Sequence, residues 1–232
     1  MQAEVRRFAC TACGKCCNRS PEVELSEAAA LADQFVFRLM FRLYSLPRRF
    51  TDHHAAGSTQ ANASAIFYEK KRLLSAFAAR KYAVKLRRGG KTVEATNYLT
   101  ISALSLDTVP GACAALSGPR CSIYERRPLA CRTVPFHYSR PAALAVSDLA
   151  TFVATPGFEC DTRDSAAIVI ENGRIVHAPT QRLRAEALSV VERDRPWHDA
   201  IVREVHASPS SHSARSSINI RMASTRTMHC SV

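Results

Sequence analysis

Glycine is scarce in this chain, with eight in 232 residues. Neither a G-x-G-x-x-G run nor a G-x4-G-K-[ST] loop occurs, so a dinucleotide fold or a P-loop finds no support. The Cys-x3-Cys-x2-Cys spacing of radical chemistry is missing as well. Acidic residues are few, 20 Asp and Glu against 32 Lys and Arg, which leaves a net charge of +12. No dense Lys/Arg block accompanies that excess, so it reads as a basic surface, and nucleic acid is not the expected partner. Long apolar runs are also lacking. The best candidate, residues 35–46, is broken by Arg38 and Arg42, and no membrane span is expected. The first eight residues are polar and hold no apolar signal core, which points to a reducing, cytoplasmic setting.

What the chain has in excess is cysteine. Nine occur, and four of them crowd together as Cys10, Cys13, Cys16 and Cys17. Cys113, Cys121, Cys131 and Cys160 form a second, dispersed group, and Cys230 stands alone near the end. In a reducing compartment such an array is metal-binding rather than disulfide-bonded. Cys-x2-Cys closes a tight turn that aims two sulfurs at one point, and Gly14 tolerates the left-handed backbone such a turn needs. Adjacent side chains diverge, so Cys16 and Cys17 are not expected to serve one small ion together. They fit two neighbouring centres, or one of them is a free or redox-active thiol. Eight ligands fill two tetrahedral sites, or one cluster with cysteines left over. The repeated x2 spacing suits an iron–sulfur cluster, and the widely spaced distal cysteines suit zinc equally well. Lys15, Arg127 and Arg132 lie beside the thiols in sequence and would steady thiolates.

The rest of the chain reads as one α+β domain over residues 1–206 followed by a basic, Ser-rich disordered tail over 207–232. Residues 1–23 read as loop. A helix is expected over 27–44, with Ser26 as its cap, Pro47 as its stop and Ala28, Leu31, Phe35, Leu39 and Leu46 on its core face. Residues 51–60 read as loop, and a second helix fits 63–80. Strands are expected over 82–86 and 93–104 around the Gly89-Gly90 turn, and Asn172-Gly173 marks another hairpin. Residues 107–141 read as loop with a short helix opening near Pro128. A last helix spans 181–206, with Pro196 inside it.

Two motifs carry a family resemblance. Cys10-Thr11-Ala12-Cys13-Gly14-Lys15-Cys16-Cys17 resembles the defining motif of the YkgJ-like cysteine-cluster family, described as zinc- or iron-chelating. Cys121-Ser122-Ile123-Tyr124-Glu125-Arg126-Arg127-Pro128-Leu129-Ala130-Cys131-Arg132 is similar to its second motif, Cys-x-Ile-Tyr-x-x-Arg-Pro-x-x-Cys-Arg. Cys113 and Cys160 fall where its remaining cysteines are expected. The resemblance covers about residues 8–162 and implies chelation of a metal, as zinc or an iron–sulfur cluster, through eight cysteines. The family also includes flagellin lysine-N-methylases, so the alternative reading is such a methylase or a cluster-dependent redox protein. For the methylase the cofactor would be S-adenosylmethionine and the partner a protein substrate.

Three further readings weigh a chemical role against a plainer one. The His53-His54 pair reads as solvent-facing loop rather than ligand. His137, six residues beyond Cys131, reads as a half-buried histidine rather than an acid/base group beside the metal. Arg127 and Arg132 read as residues that pin loops rather than as an anion clamp.

Overall fold

The computed structural model describes residues 4–17, 21–50, 60–106, 112–207 and 228–229. The elements, in chain order, begin with strand β1 (Val5–Arg7), strand β2 (Glu22–Val23), helix α1 (Leu25–Ala30), strand β3 (Phe37–Pro47) and helix α2 (Gln60–Phe77). Strands β4 (Arg80–Arg88), β5 (Lys91–Ser105), β6 (Leu116–Ser117) and β7 (Arg120–Cys121) follow. Helices α3 (Leu129–Arg132) and α4 (Ala145–Val153), strands β8 (Ile168–Glu171) and β9 (Arg174–Ile175), helix α5 (Ala178–Ala207) and strand β10 (Met228–His229) complete the set. Sheets are antiparallel and helices pack on their faces, so the α+β class expected from sequence is the one observed.

The long strand β5 organises the main sheet. One edge pairs with β3 from Phe37↔Ser105 to Pro47↔Ala95. The other edge is shared by β4, from Arg80↔Leu99 to Arg88↔Lys91, and β2, through Glu22↔Leu104 and Val23↔Ala103. Gly89 and Gly90 both have positive φ, +55° and +76°, as a two-residue β4–β5 turn of the primed kind requires. Alternation then sorts the two faces. Phe37, Leu39, Phe41, Ile101 and Ala103 pack with α1 and with Val202 of α5. The opposite face carries Arg42, Glu22 and Leu104 toward a large cleft.

The helix expected over residues 27–44 is a correction. Only Leu25–Ala30 is helical, and Glu24, not Ser26, occupies the N-cap, where Glu24 and Glu27 form a capping box. From Phe37 the chain is strand β3. The run Phe35-Val36-Phe37-Arg38-Leu39-Met40-Phe41 places apolar residues at both helical and alternating positions, and eleven paired residues of β5 select the extended form. The core assignment survives the change, since Ala28, Leu31, Phe35 and Leu46 are buried. Residues 5–7 and 22–23, read as loop, are strands instead. The expected 63–80 helix lies slightly earlier, at Gln60–Phe77, because Arg80 already belongs to β4.

The second hairpin is as expected. Asn172 and Gly173 have φ of 49° and 75° and join β8 to β9. With β1 these strands form a small sheet packed on α4 through Phe8, Phe136, Leu149 and Ile170. Helix α5 runs through Pro196 and packs against α1 and α2. Among the described residues no helix is long and apolar enough to cross a membrane. Of the tail expected to be disordered, only Ala207 at the end of α5 and the β10 pair beside Met40 and Phe41 are described. The loop over residues 51–59 and Cys230 lie outside the described residues.

Candidate metal centre

Local backbone pairing explains how distant cysteines reach one place. Ala9 and Asp161 exchange both backbone hydrogen bonds, at 2.8 and 3.1 Å, so Cys10 and Cys160 flank the same bridge. The hydroxyl of Thr11 donates to the carbonyl of Glu159 at 2.7 Å and extends that seam. The chain then turns at Ala12 and Gly14, with φ of 56° and 71°, and Cys17 N–H closes the turn on the Gly14 carbonyl at 2.9 Å. The left-handed backbone expected at Gly14 is therefore present. A side chain there would also meet the Pro119 carbonyl oxygen at 2.3 Å, so the turn is pressed against the β6–β7 hairpin.

That hairpin brings in the distal thiols. Cys113 N–H donates to the Cys17 carbonyl at 3.1 Å, and Cys121 lies opposite Leu116 in the β6–β7 ladder. Pro128 caps α3, whose Cys131 N–H bonds the Pro128 carbonyl at 2.9 Å. The first turn of α3 is fixed from outside, because Glu27 accepts the Leu129 N–H at 2.7 Å. That link between α1 and α3 escaped the sequence reading, since nothing local to either segment signals a partner so far along the chain.

All eight cysteines, Cys10, Cys13, Cys16, Cys17, Cys113, Cys121, Cys131 and Cys160, line a single cleft of about 990 Å³. They are thiols rather than cystines. Among the described residues, no three His, Cys, Asp or Glu side chains already converge as a ligand set for a metal ion.

Their electrostatics show crowding. Burial pushes the Cys131 thiol up to about 12, with the charges of Cys113, Cys121 and Cys16 adding to it. Burial likewise raises Cys160 to about 11, helped by Cys10, Cys13 and Cys16. At Cys13 burial acts upward, but the Lys15 backbone, Thr11 side chain and Glu159 backbone outweigh it and the net shift is down. Cys16 falls to about 6, first because the Cys17 thiol donates to it, while Cys17 rises for the same reason. The Cys16 and Cys17 thiols thus influence one another directly. A site built from thiolates that repel one another is one that a bound cation relieves, and soft sulfur donors suit zinc and iron. The donor chemistry fits such an ion.

The remaining candidates are placed plainly. Arg127 lies 3.6 Å over the Tyr124 ring, and its Nε donates to the Tyr124 carbonyl at 2.8 Å. Arg132 pairs with Glu186 at 3.1 Å. Both pin structure, as expected. Lys15 reaches Glu159 at 3.8 Å, across the seam beside Cys160. His137 lines the cleft, stacks on Tyr138 with ring centroids 4.4 Å apart, and has Nδ1 2.9 Å from Ser139 Oγ. Burial lowers its pKa to about 4, so the ring is neutral near pH 7. His53 and His54 lie outside the described residues. Glu22, Arg42, Arg140 and Asp148 also line the cleft, as the Glu22–Arg42 and Arg140–Asp148 ion pairs, and carried no sequence signal.

A family model, CxxCxxCC, described as "Putative zinc- or iron-chelating domain", matches residues 9–160. No curated protein and no solved structure matches the chain.

Proposed function

The chain belongs to the CxxCxxCC family, and from that premise we propose that it is a metal-binding protein whose eight cleft cysteines are the ligands, for zinc or for an iron–sulfur cluster. The observation that supports this most is the convergence of both cysteine groups on one cleft, through segments far apart in sequence. Residues 9–160 hold the outermost of these ligands within the family match.

The chain's own contribution is positional. The Ala9–Asp161 bridge and the Cys17–Cys113 hydrogen bond bring together the segments that carry the cysteines. Capping of α3 by Pro128 and Glu27 fixes the helix that carries Cys131. Thiolate ligation displaces protons, so affinity rises with pH until the thiols are deprotonated. A bound ion supplies the positive charge that offsets the sulfurs.

The test is anaerobic purification followed by analysis for zinc, iron and acid-labile sulfide. Stoichiometric metal that is lost from the Cys10→Ser/Cys13→Ser variant supports the reading. Metal content unchanged in that variant, or none in the wild type, overturns it. Labile sulfide with visible absorption separates a cluster from zinc.

A further inference from the structure

We propose that the eight thiols form two separate four-sulfur sites that adjoin at the Cys16–Cys17 peptide. Cys10, Cys13, Cys16 and Cys160 make one, and Cys17, Cys113, Cys121 and Cys131 make the other. This rests on the metal-binding reading above and divides its ligands.

Two independent features separate the sets. The first is the backbone. Cys10 and Cys160 are joined through the Ala9–Asp161 bridge and the Thr11–Glu159 contact, whereas Cys113 is joined to Cys17 at 3.1 Å. Gly14 sits between these two seams, and its turn carries the chain from one to the other. The second is packing. Cys160 lies against the core of Phe8, Phe136 and Ile170, beside the small sheet. Cys113 and Cys121 lie against a different core, built from Leu31, Phe35, Ala115 and Ile123. Cys17, whose carbonyl holds the Cys113 amide, therefore belongs with the distal group. A closed tetrahedral site takes four ligands, so Cys131, which follows the β6–β7 hairpin, completes that set, and Cys13 and Cys16 go with Cys10 and Cys160.

Each site fastens a different joint. The first ties the amino-terminal run to the segment after α4, and the second ties it to the β6–β7 hairpin and α3. Vicinal cysteines at the junction place the two centres side by side, and loss of one set leaves the backbone seam of the other intact.

Anaerobic titration of the full chain with cobalt(II) reads the number of sites through the sulfur-to-cobalt charge-transfer band. The wild type is expected to saturate at two cobalt ions per chain. Cys10→Ser/Cys160→Ser and Cys113→Ser/Cys121→Ser are each expected to retain one, with far-UV circular dichroism checking that they fold. In the wild type loaded with a single equivalent of zinc(II), alkylation and peptide mapping should find four thiols protected per loaded chain, all within one named group. That measurement needs no variant and decides the matter if a variant misfolds. Saturation of the wild type at one cobalt, or protection of a set mixed between the groups, overturns the two-site assignment and leaves metal binding standing. A wild type that binds no cobalt removes both readings.

Discussion

The Cys113 amide donates to the Cys17 carbonyl at 3.1 Å. This bond clips the proximal cysteine run to the distal one, and Gly14 lets the run lie close enough to make it. A Cβ at Gly14 would stand 2.3 Å from the Pro119 carbonyl at a φ of +71°.

Gly14→Ala is therefore expected to cost about 3 kcal/mol or more, from left-handed strain plus a clash with backbone. It should also reduce bound metal, because the turn carries Cys13 and Cys16. Gly118→Ala in the same hairpin is the control, with φ +58° and open space around it. Its cost should be about 1 kcal/mol. Denaturation curves and metal content of the two variants check this, and equal effects would contradict it.

Glu24 gives a pH signature. It is 6% exposed and accepts the Tyr138 hydroxyl at 2.9 Å. Burial raises its pKa from 4.5 to about 8, with the charges of Glu27, Asp194 and Glu22 adding to it against the Tyr138 hydrogen bond. The folded state then holds a proton that the unfolded chain has released. This contribution is fully present below about pH 4.5 and is lost as pH rises through about 8. Glu24→Gln keeps an acceptor for Tyr138 and cannot ionise. It should match the wild type near pH 5 and be more stable by roughly 1–4 kcal/mol near pH 8. Urea unfolding at the two pH values measures the difference.

Arg127 holds Tyr124 by its face and by its carbonyl. Lysine keeps the charge but lacks the planar fork. Arg127→Lys should lower stability by about 1–2 kcal/mol, read from the denaturation midpoint. A residue serving only as an anion clamp would leave that midpoint unmoved.

Metal removal should loosen the fold. With the proposed ligands drawn from segments far apart in sequence, binding free energy is folding free energy. Stripping the metal with a chelator should lower Tm, and replenishment should restore it. At free metal about 1,000-fold above Kd the loss is about 4 kcal/mol. A melting curve indifferent to metal would contradict the placement of the ligands across separate segments.

Much of this was legible in the sequence because the signals were local. The Gly89-Gly90 and Asn172-Gly173 turns required positive φ, and their hairpins formed. The cysteine spacing gave the ligand candidates and Gly14 the turn. Where the reading failed, long-range pairing decided. Residues 37–47 hold apolar side chains at both periods, and only β5 selects a strand. The Glu27–Leu129 bond and the ion pairs that line the cleft join residues whose sequence neighbours give no hint of each other.

X-ray absorption at the edge of the metal that co-purifies anaerobically tests the central claim most directly. Ligation by the cleft cysteines predicts a first shell of sulfur alone, at about 2.3 Å. A shell dominated by nitrogen or oxygen would contradict it.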